Sequence, residues 1–382
     1  MDIVFIIIYS CAGAAIIASL FYWYAFRYET GNFMLSRVRI NLRAQPASDD
    51  KGLIKKDTGT ESKSASGVGS YNSPVSCSYG KKPFFTALHI SDLHLRKDRN
   101  GTKLSSFIKS LKYLEPDFLF ITGDLAEKNE YYSNLTDMLS SLKVNKAKYA
   151  VFGVHDYYNK SAWEFIRNMM KKKKTYKREN DTEELAEKLS QIGVKVLQNE
   201  KVSINIPVEG QNRAIRLEIA GIEDPVIEKA DVNKVFAEES RIQGKSHSAG
   251  LPAEKNAGNP DKRLVSAARQ TFTLSCKDEH VLNSPEKMLI CLTHTPDQDL
   301  IRDLSANGAD LIISGHTHGG QVRLPGIGAI ISGCNIKTKY ASGLFYFKKF
   351  VLFITRGLGT GRYSPFRFYC QPEAVMLEIY LN

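Results

Sequence analysis

Acids and histidines recur in this chain where short apolar runs stop. Asp92 and His94 follow "FFTALHI" in "HISDLHL", and Asp124 follows "DFLFIT" in "FITGDLA". His155 and Asp156 follow "KYAVFG" in "VFGVHDYY", His294 closes "MLICLTH", and His316 and His318 lie in "ISGHTHGGQ". The donors are carboxylate oxygens and imidazole nitrogens, with no thiolate among them. Such a set suits Mn, Fe or Zn in a catalytic centre better than a structural zinc. A carboxylate such as Asp124 can bridge two cations, and two cations about 3.5–4 Å apart can activate water and clamp a phosphoryl group. One Asp-x-His or one His-x-His alone says little. The ordered series of five strand ends carries the reading. Glycines beside these residues (Gly123, Gly153, Gly315, Gly319 and Gly320) let the backbone bend sharply there.

Such residues need a scaffold that brings them to one edge. The apolar runs named above, together with "RLEIAGI", are mostly unbroken, as strands buried on both faces are. Helical patterns separate several of them, at 103–114, 131–143, 161–173 and 181–192. The tail 320–382 loses helices and reads as strands. The pattern predicts an α/β fold with sheets packed together and helices outside. In such folds the ligand crevice lies beyond the carboxyl ends of the strands.

The N-terminus predicts a different element. "IVFIIIYSCAGAAIIASLFYWYAF" (3–26) carries no charge, and about 20 such residues cross a bilayer as a helix. No basic residue precedes the run, unlike a cleavable signal. Tyr22, Trp23 and Tyr24 suit the interfacial belt, and Arg27, Arg37, Arg39 and Arg43 place the body on the cytoplasmic side. The expectation is a single-pass membrane protein with a cytoplasmic catalytic domain. Residues 27–43 alternate Val38, Ile40 and Leu42 with polar partners, a short strand segment joining the core. Residues 44–82 are too polar to bury a core and read as a flexible linker or loop. Residues 228–284 form a polar insertion in the domain 83–382. The basic run Lys171–Lys174 reads as a solvated helix end.

The net charge of +11, from 52 Lys and Arg against 41 Asp and Glu, favours an anionic partner. The six cysteines are scattered without a CxxC pair, which argues against a disulfide framework or zinc knuckle.

Residues 84–382 resemble the calcineurin-like metallophosphoesterases. The likeness rests on "SDLHL", "TGDL", "GVKVLQNE", "GIEDP", "THTPD", "GHTHGGQVRLP" and "RGLGT", and is strongest to the subfamily with an N-terminal membrane anchor. It implies a four-layer αββα sandwich, here preceded by one transmembrane helix. It also implies two divalent metal ions. Asp92, His94, Asp124 and His318 would hold one; Asp124, His294 and His316 would hold the other. His155 would serve as general acid or charge stabiliser, oriented by Asp156. The family has Asn where this chain has Val154, and the Asn amide is a ligand of the second metal. Water could replace it, the second metal could bind only with substrate, or catalysis could be lost. The first is preferred, because three of four second-site ligands remain.

The implied activity is hydrolysis of a phosphoester by a metal-bound hydroxide. The anchor and basic surface point to a membrane-associated, phosphorylated or nucleotide-linked substrate. One such is UDP-2,3-diacylglucosamine, which the resemblance links to lipid A biosynthesis. Arg356, Arg362 and Arg367 are candidates for pairing substrate phosphates, and the 228–284 insertion for covering acyl chains. Two alternatives stand beside this reading. One is a non-catalytic membrane scaffold with a degenerate second site. The other is a nuclease-like phosphodiesterase, although nucleic acid is not the expected partner.

Overall fold

The unbroken apolar runs become buried strands, and the stretches between them become helices with one apolar face. The structure, a computed structural model, describes residues 2–42, 82–159, 163–164, 167, 176–237 and 287–381. The linker up to residue 81, the lysine run and the insertion beyond residue 237 lie outside the described residues.

Strand β1 is Met34–Leu42, β2 Phe85–Ile90, β3 Phe118–Thr122, β4 Ala147–Val151 and β5 Val194–Val196. Strand β6 is Glu200–Pro207, β7 Ala214–Ile222, β8 Lys287–Thr293 and β9 Leu311–Ser314. The last three are β10 Gly343–Tyr346, β11 Val351–Ile354 and β12 Glu373–Leu381. They form two six-stranded sheets, ordered β1-β12-β2-β3-β4-β5 and β10-β11-β9-β8-β7-β6. Strands β2 to β5 are mutually parallel, as are β7, β8, β9 and β11. Both parallel sets therefore have carboxyl ends that can carry a site along one edge.

One core fills the space between the sheets. Phe85, Phe118, Phe120 and Val151 of the first meet Leu217, Ile219, Ile290, Leu292, Ile313 and Phe353 of the second. The outer face of the first sheet is covered by α2 (Arg99–Ser110), α3 (Tyr132–Ser140) and α5 (Thr182–Gln191). Their Leu104, Ile108, Leu135, Met138, Leu139, Leu185 and Leu189 pack on Leu88, Ile90, Leu119 and Ile121. The outer face of the second sheet takes Leu300, Ile301 and Leu304 of α6 (Gln298–Ala306), with Val235 and Phe236 from the start of the insertion. The result is the four-layer αββα sandwich. Asp98, Asp181 and Asp297 cap the starts of α2, α5 and α6 by accepting from backbone N–H groups, each such cap contributing about 1 kcal/mol. The short α4 (Val154–Tyr157) follows β4 directly.

Helix α1, Asp2–Trp23, is apolar. It belongs to a span candidate, Ile7–Gly31, long and apolar enough to cross a membrane. The end of α1 and the residues after it rest on the segment 366–370. Phe21 and Tyr24 meet the Phe368 ring at 5.1 and 5.7 Å, and Phe26 meets Phe366 at 5.3 Å. The Arg367 N–H donates to Ala25 O at 3.0 Å, and the Cys370 N–H to Glu29 Oε1 at 2.7 Å. Strand β1 then adds to the first sheet beside the C-terminal β12, paired in parallel from Met34↔Glu373 to Leu42↔Leu381.

Candidate metal centre

Each strand that feeds the centre ends in a tight turn. Asp92, His94, Asp124, His316 and His318 all have positive φ, from 41° to 65°. Non-glycine residues rarely adopt this left-handed backbone, and it costs on the order of 1–3 kcal/mol each. The surrounding backbone holds them there. The N–H groups of Asp92, His94 and Leu95 donate to the carbonyls of Gly123, Asp124 and Leu125 at 2.9–3.0 Å, and the Gly315 N–H donates to His294 O at 3.0 Å. Gly153 is glycine because of close approach: a Cβ there would collide with the Asp124 carboxylate and the His294 ring.

Six of the residues singled out from sequence converge on two trios, Asp92–His94–His318 and Asp124–His294–His316. Within each trio the ligand atoms lie within 4.8 Å of one another. Asp124 Oδ2 lies 3.5 Å from His94 Nε2 and 3.3 Å from His294 Nε2, which puts one carboxylate oxygen between the two groups. His94 Nε2 faces His318 Nε2 at 3.2 Å, and His294 Nε2 faces His316 Nδ1 at 3.1 Å. Opposed imidazole nitrogens and buried carboxylates gathered in this way have the donor chemistry of divalent transition metals. The residues present therefore fit two cations that share Asp124.

The rings are set from behind. His94 Nδ1 meets Glu127 Oε1 at 2.9 Å, and His294 Nδ1 donates to Thr122 O at 2.7 Å. Both contacts leave Nε2 turned inward as the ligand atom, the arrangement that fixes tautomer and ring orientation in metal sites. Ser91 Oγ donates to Asp92 Oδ2 at 2.7 Å. Burial opposes charge on Asp124, but His294 and His155 overcome it and hold the carboxyl well below its ordinary range. Burial likewise opposes a charged His294, and Asp124 reverses the direction, raising its pKa. His318 is pushed down by burial and then by His94 and Arg367.

His155 lies beside this group, its ring centroid 4.9 Å from that of His94. Its N–H donates to Asp124 Oδ1 at 2.8 Å, and Asn180 Nδ2 donates to its carbonyl at 2.9 Å. Asp156, expected to orient His155, is hydrogen-bonded to backbone. Its carboxylate accepts from the N–H groups of Gly153, Asp124 and Leu125 at 2.8 Å each, so it pins the loops under the centre instead. Val154 is buried at the start of α4. Glu127 is a residue that sequence reasoning missed.

The arginines differ from the expectation. Arg367 is fully buried. Its guanidinium donates to the carbonyls of Arg356, Gly357, Gly359 and Cys370 and approaches His318 Nδ1 at 3.3 Å. These bonds hold it in the protein interior. Arg356 is paired with the buried Glu373 at 2.6 Å, which Ser36 of β1 also contacts. Arg362 is exposed and stacks on Tyr363.

The chain is similar to several known proteins. Residues 85–220 match the family model described as calcineurin-like phosphoesterase. Phosphodiesterase YaeI of Escherichia coli K12 is 37% identical over 91 residues, 24% of this chain and 32% of that protein. The chain thus spans about a third of that relative. UDP-2,3-diacylglucosamine pyrophosphatase LpxG of Chlamydia muridarum is 25% identical over 327 residues, covering 76% of this chain and 82% of that protein. Among solved structures, a dimetal phosphatase from Danio rerio is 11% identical with a TM-score of 0.33, covering 77% of this chain and 99% of that one.

Proposed function

We propose that this chain, whose residues 85–220 match the calcineurin-like phosphoesterase family model, is a metal-dependent hydrolase that cleaves a lipid-linked phosphate at a membrane surface. Asp92, His94, Asp124 and His318 would hold one divalent cation, and Asp124, His294 and His316 a second. When bound, the cations supply Lewis acidity toward a phosphoryl oxygen and toward water. The chain's own residues do the rest. Glu127 and Thr122 keep the Nε2 atoms of His94 and His294 aimed inward. Asp156 holds the loops that carry Asp124 and Gly153. The His155 ring, its backbone tied to Asp124, would serve as general acid toward the leaving oxygen or as a stabiliser of charge on the phosphoryl group.

The membrane-linked reading is supported by one observation above others. The apolar N-terminal helix ends on the segment 366–370, and Arg367 of that segment reaches His318. The centre and the end of the helix thus share a single short stretch of chain. The arginines after the helix favour a cytoplasmic body. LpxG is named for a nucleotide-linked lipid pyrophosphate, and UDP-2,3-diacylglucosamine is the first substrate to try. The test is turnover by the full chain in detergent, with Mn, Fe or Zn restored after chelation. UDP-2,3-diacylglucosamine should yield UMP faster than a soluble phosphodiester is cleaved. Cleavage of soluble diesters alone would favour the nuclease-like alternative. Failure with every metal and substrate would favour a scaffold, the reading that the buried Val154 raises.

A further inference from the structure

Immediately after His318 the chain makes a small hairpin that the metal centre does not use. Arg323 and Leu324 pair antiparallel with Ala329 and Gly328. From Leu324 to Ile336 there is no charged residue. Leu324, Ile327, Ile330 and Ile331 are all exposed, Ile327 at 74% and Ile331 at 60%. Hairpin tips on water-facing surfaces are ordinarily polar, and a cluster of exposed branched aliphatics marks a contact surface. Lys337 and Lys339 stand exposed beyond it, and Arg362 is exposed on the neighbouring segment.

The position of the hairpin says what covers it. Its root is hydrogen-bonded to the residue on which the apolar helix ends. The Phe368 N–H donates to Gln321 O and the Arg323 N–H to Phe368 O, at 3.0 and 2.9 Å. Phe368 itself packs on Phe21 and Tyr24 at the end of α1. The exposed side of Phe368's neighbourhood continues into Tyr369, 59% exposed. The hairpin also folds back on the turn after His318: a Cβ on Gly320 would meet Ala329 Cβ at 2.5 Å and Ile331 O at 2.7 Å. The apolar patch is therefore continuous with the end of the span candidate at one side and with the centre at the other.

We propose that the hairpin Arg323–Ala329, with Ile330 and Ile331, inserts into the interfacial layer of the bilayer that α1 crosses. Its aliphatic side chains enter the acyl boundary, and Lys337, Lys339 and Arg362 meet anionic headgroups. The inference rests on the membrane-anchor reading above. It deepens that reading, because two attachments hold the body against the membrane where one helix would let it swing. A lipid-borne phosphate would then reach the centre without leaving the bilayer surface.

Tryptophan fluorescence of the full chain in phosphatidylcholine–phosphatidylglycerol vesicles with brominated acyl chains tests this. The chain has Trp23 and Trp163. Trp163→Phe leaves Trp23 as reporter of the helix. Trp23→Phe, Trp163→Phe and Ile327→Trp together leave a reporter on the hairpin. The proposal expects both proteins to lose most of their emission to the bromines, with a blue shift for the hairpin tryptophan. A quenched Trp23 beside an unquenched, water-like hairpin tryptophan would overturn the hairpin contact and leave the anchor standing. An unquenched Trp23 would remove the anchor and the proposal with it.

Discussion

Glu127 shows how a site residue can be visible in the sequence yet unassigned. It lies three positions after Asp124, but its contact is with His94, brought near by the isolated bridge between Leu95 and Ala126. Nothing local in the sequence encodes that pairing. The ligand candidates were legible because each directly follows an apolar run, and strand ends on one sheet edge must converge. Arg367 misled because an arginine in a Gly-rich tail resembles a surface group, whereas its burial depends on four carbonyls supplied by segments folded around it. Glu127→Gln should keep the His94 contact but weaken the control of its tautomer. Loss of such a partner typically lowers metal affinity or activity about 10–100-fold, and titration against a competing chelator will read it. Val154→Asn places a neutral oxygen donor where the chain has an apolar group. It should tighten binding of the second cation to be taken up and leave the first unchanged, as read by the same titration.

At the scale of elements, the apolar runs of β2, β3, β4, β8 and β9 could be read directly, since strands buried on both faces need little pattern beyond hydrophobicity. The partner of β1 could not, because β1 and β12 lie at opposite ends of the chain and pair only when the sheet closes. Val38, Ile40 and Leu42 of β1 enter the core between the sheets. Each fully buried aliphatic of this kind contributes about 1.5–3 kcal/mol. A chain beginning at residue 80, which lacks β1, should therefore melt markedly lower than one beginning at residue 32, which keeps it; equal melting would argue that β1 is dispensable. Strand β2 also carries His89, fully buried with Nε2 2.8 Å from Thr122 Oγ1. Burial pulls its pKa from 6.5 down to about 3. Below 6.5 the unfolded chain takes up a proton that the native state refuses, so stability falls with falling pH across that window. The slope from one such group is about 1.4 kcal/mol per pH unit. Denaturation at a series of pH values should show this component in the parent and not in His89→Phe; identical slopes would contradict it.

At the scale of the molecule, two sheets meet so that Asp92, His94 and Asp124 come from one and His294, His316 and His318 from the other. Neither Asp92–His94–His318 nor Asp124–His294–His316 comes from one sheet alone, so these two trios depend on the inter-sheet core. The apolar helix, long enough to cross a membrane, docks near the same centre through the segment 366–370. The central claim is that the converged acids and histidines hold cations that make this chain a phosphoester hydrolase. The most direct measurement is hydrolysis of bis(p-nitrophenyl) phosphate by the full chain in detergent, stripped with chelator and reloaded with Mn, Fe or Zn. It is run beside Asp124→Ala, with metal content determined on both. The account predicts turnover that vanishes on chelation, returns with about two cations per chain, and is absent in Asp124→Ala together with most of the bound metal. A metal-replete Asp124→Ala protein that turns over as the parent does, or a parent inactive with every metal, would contradict it.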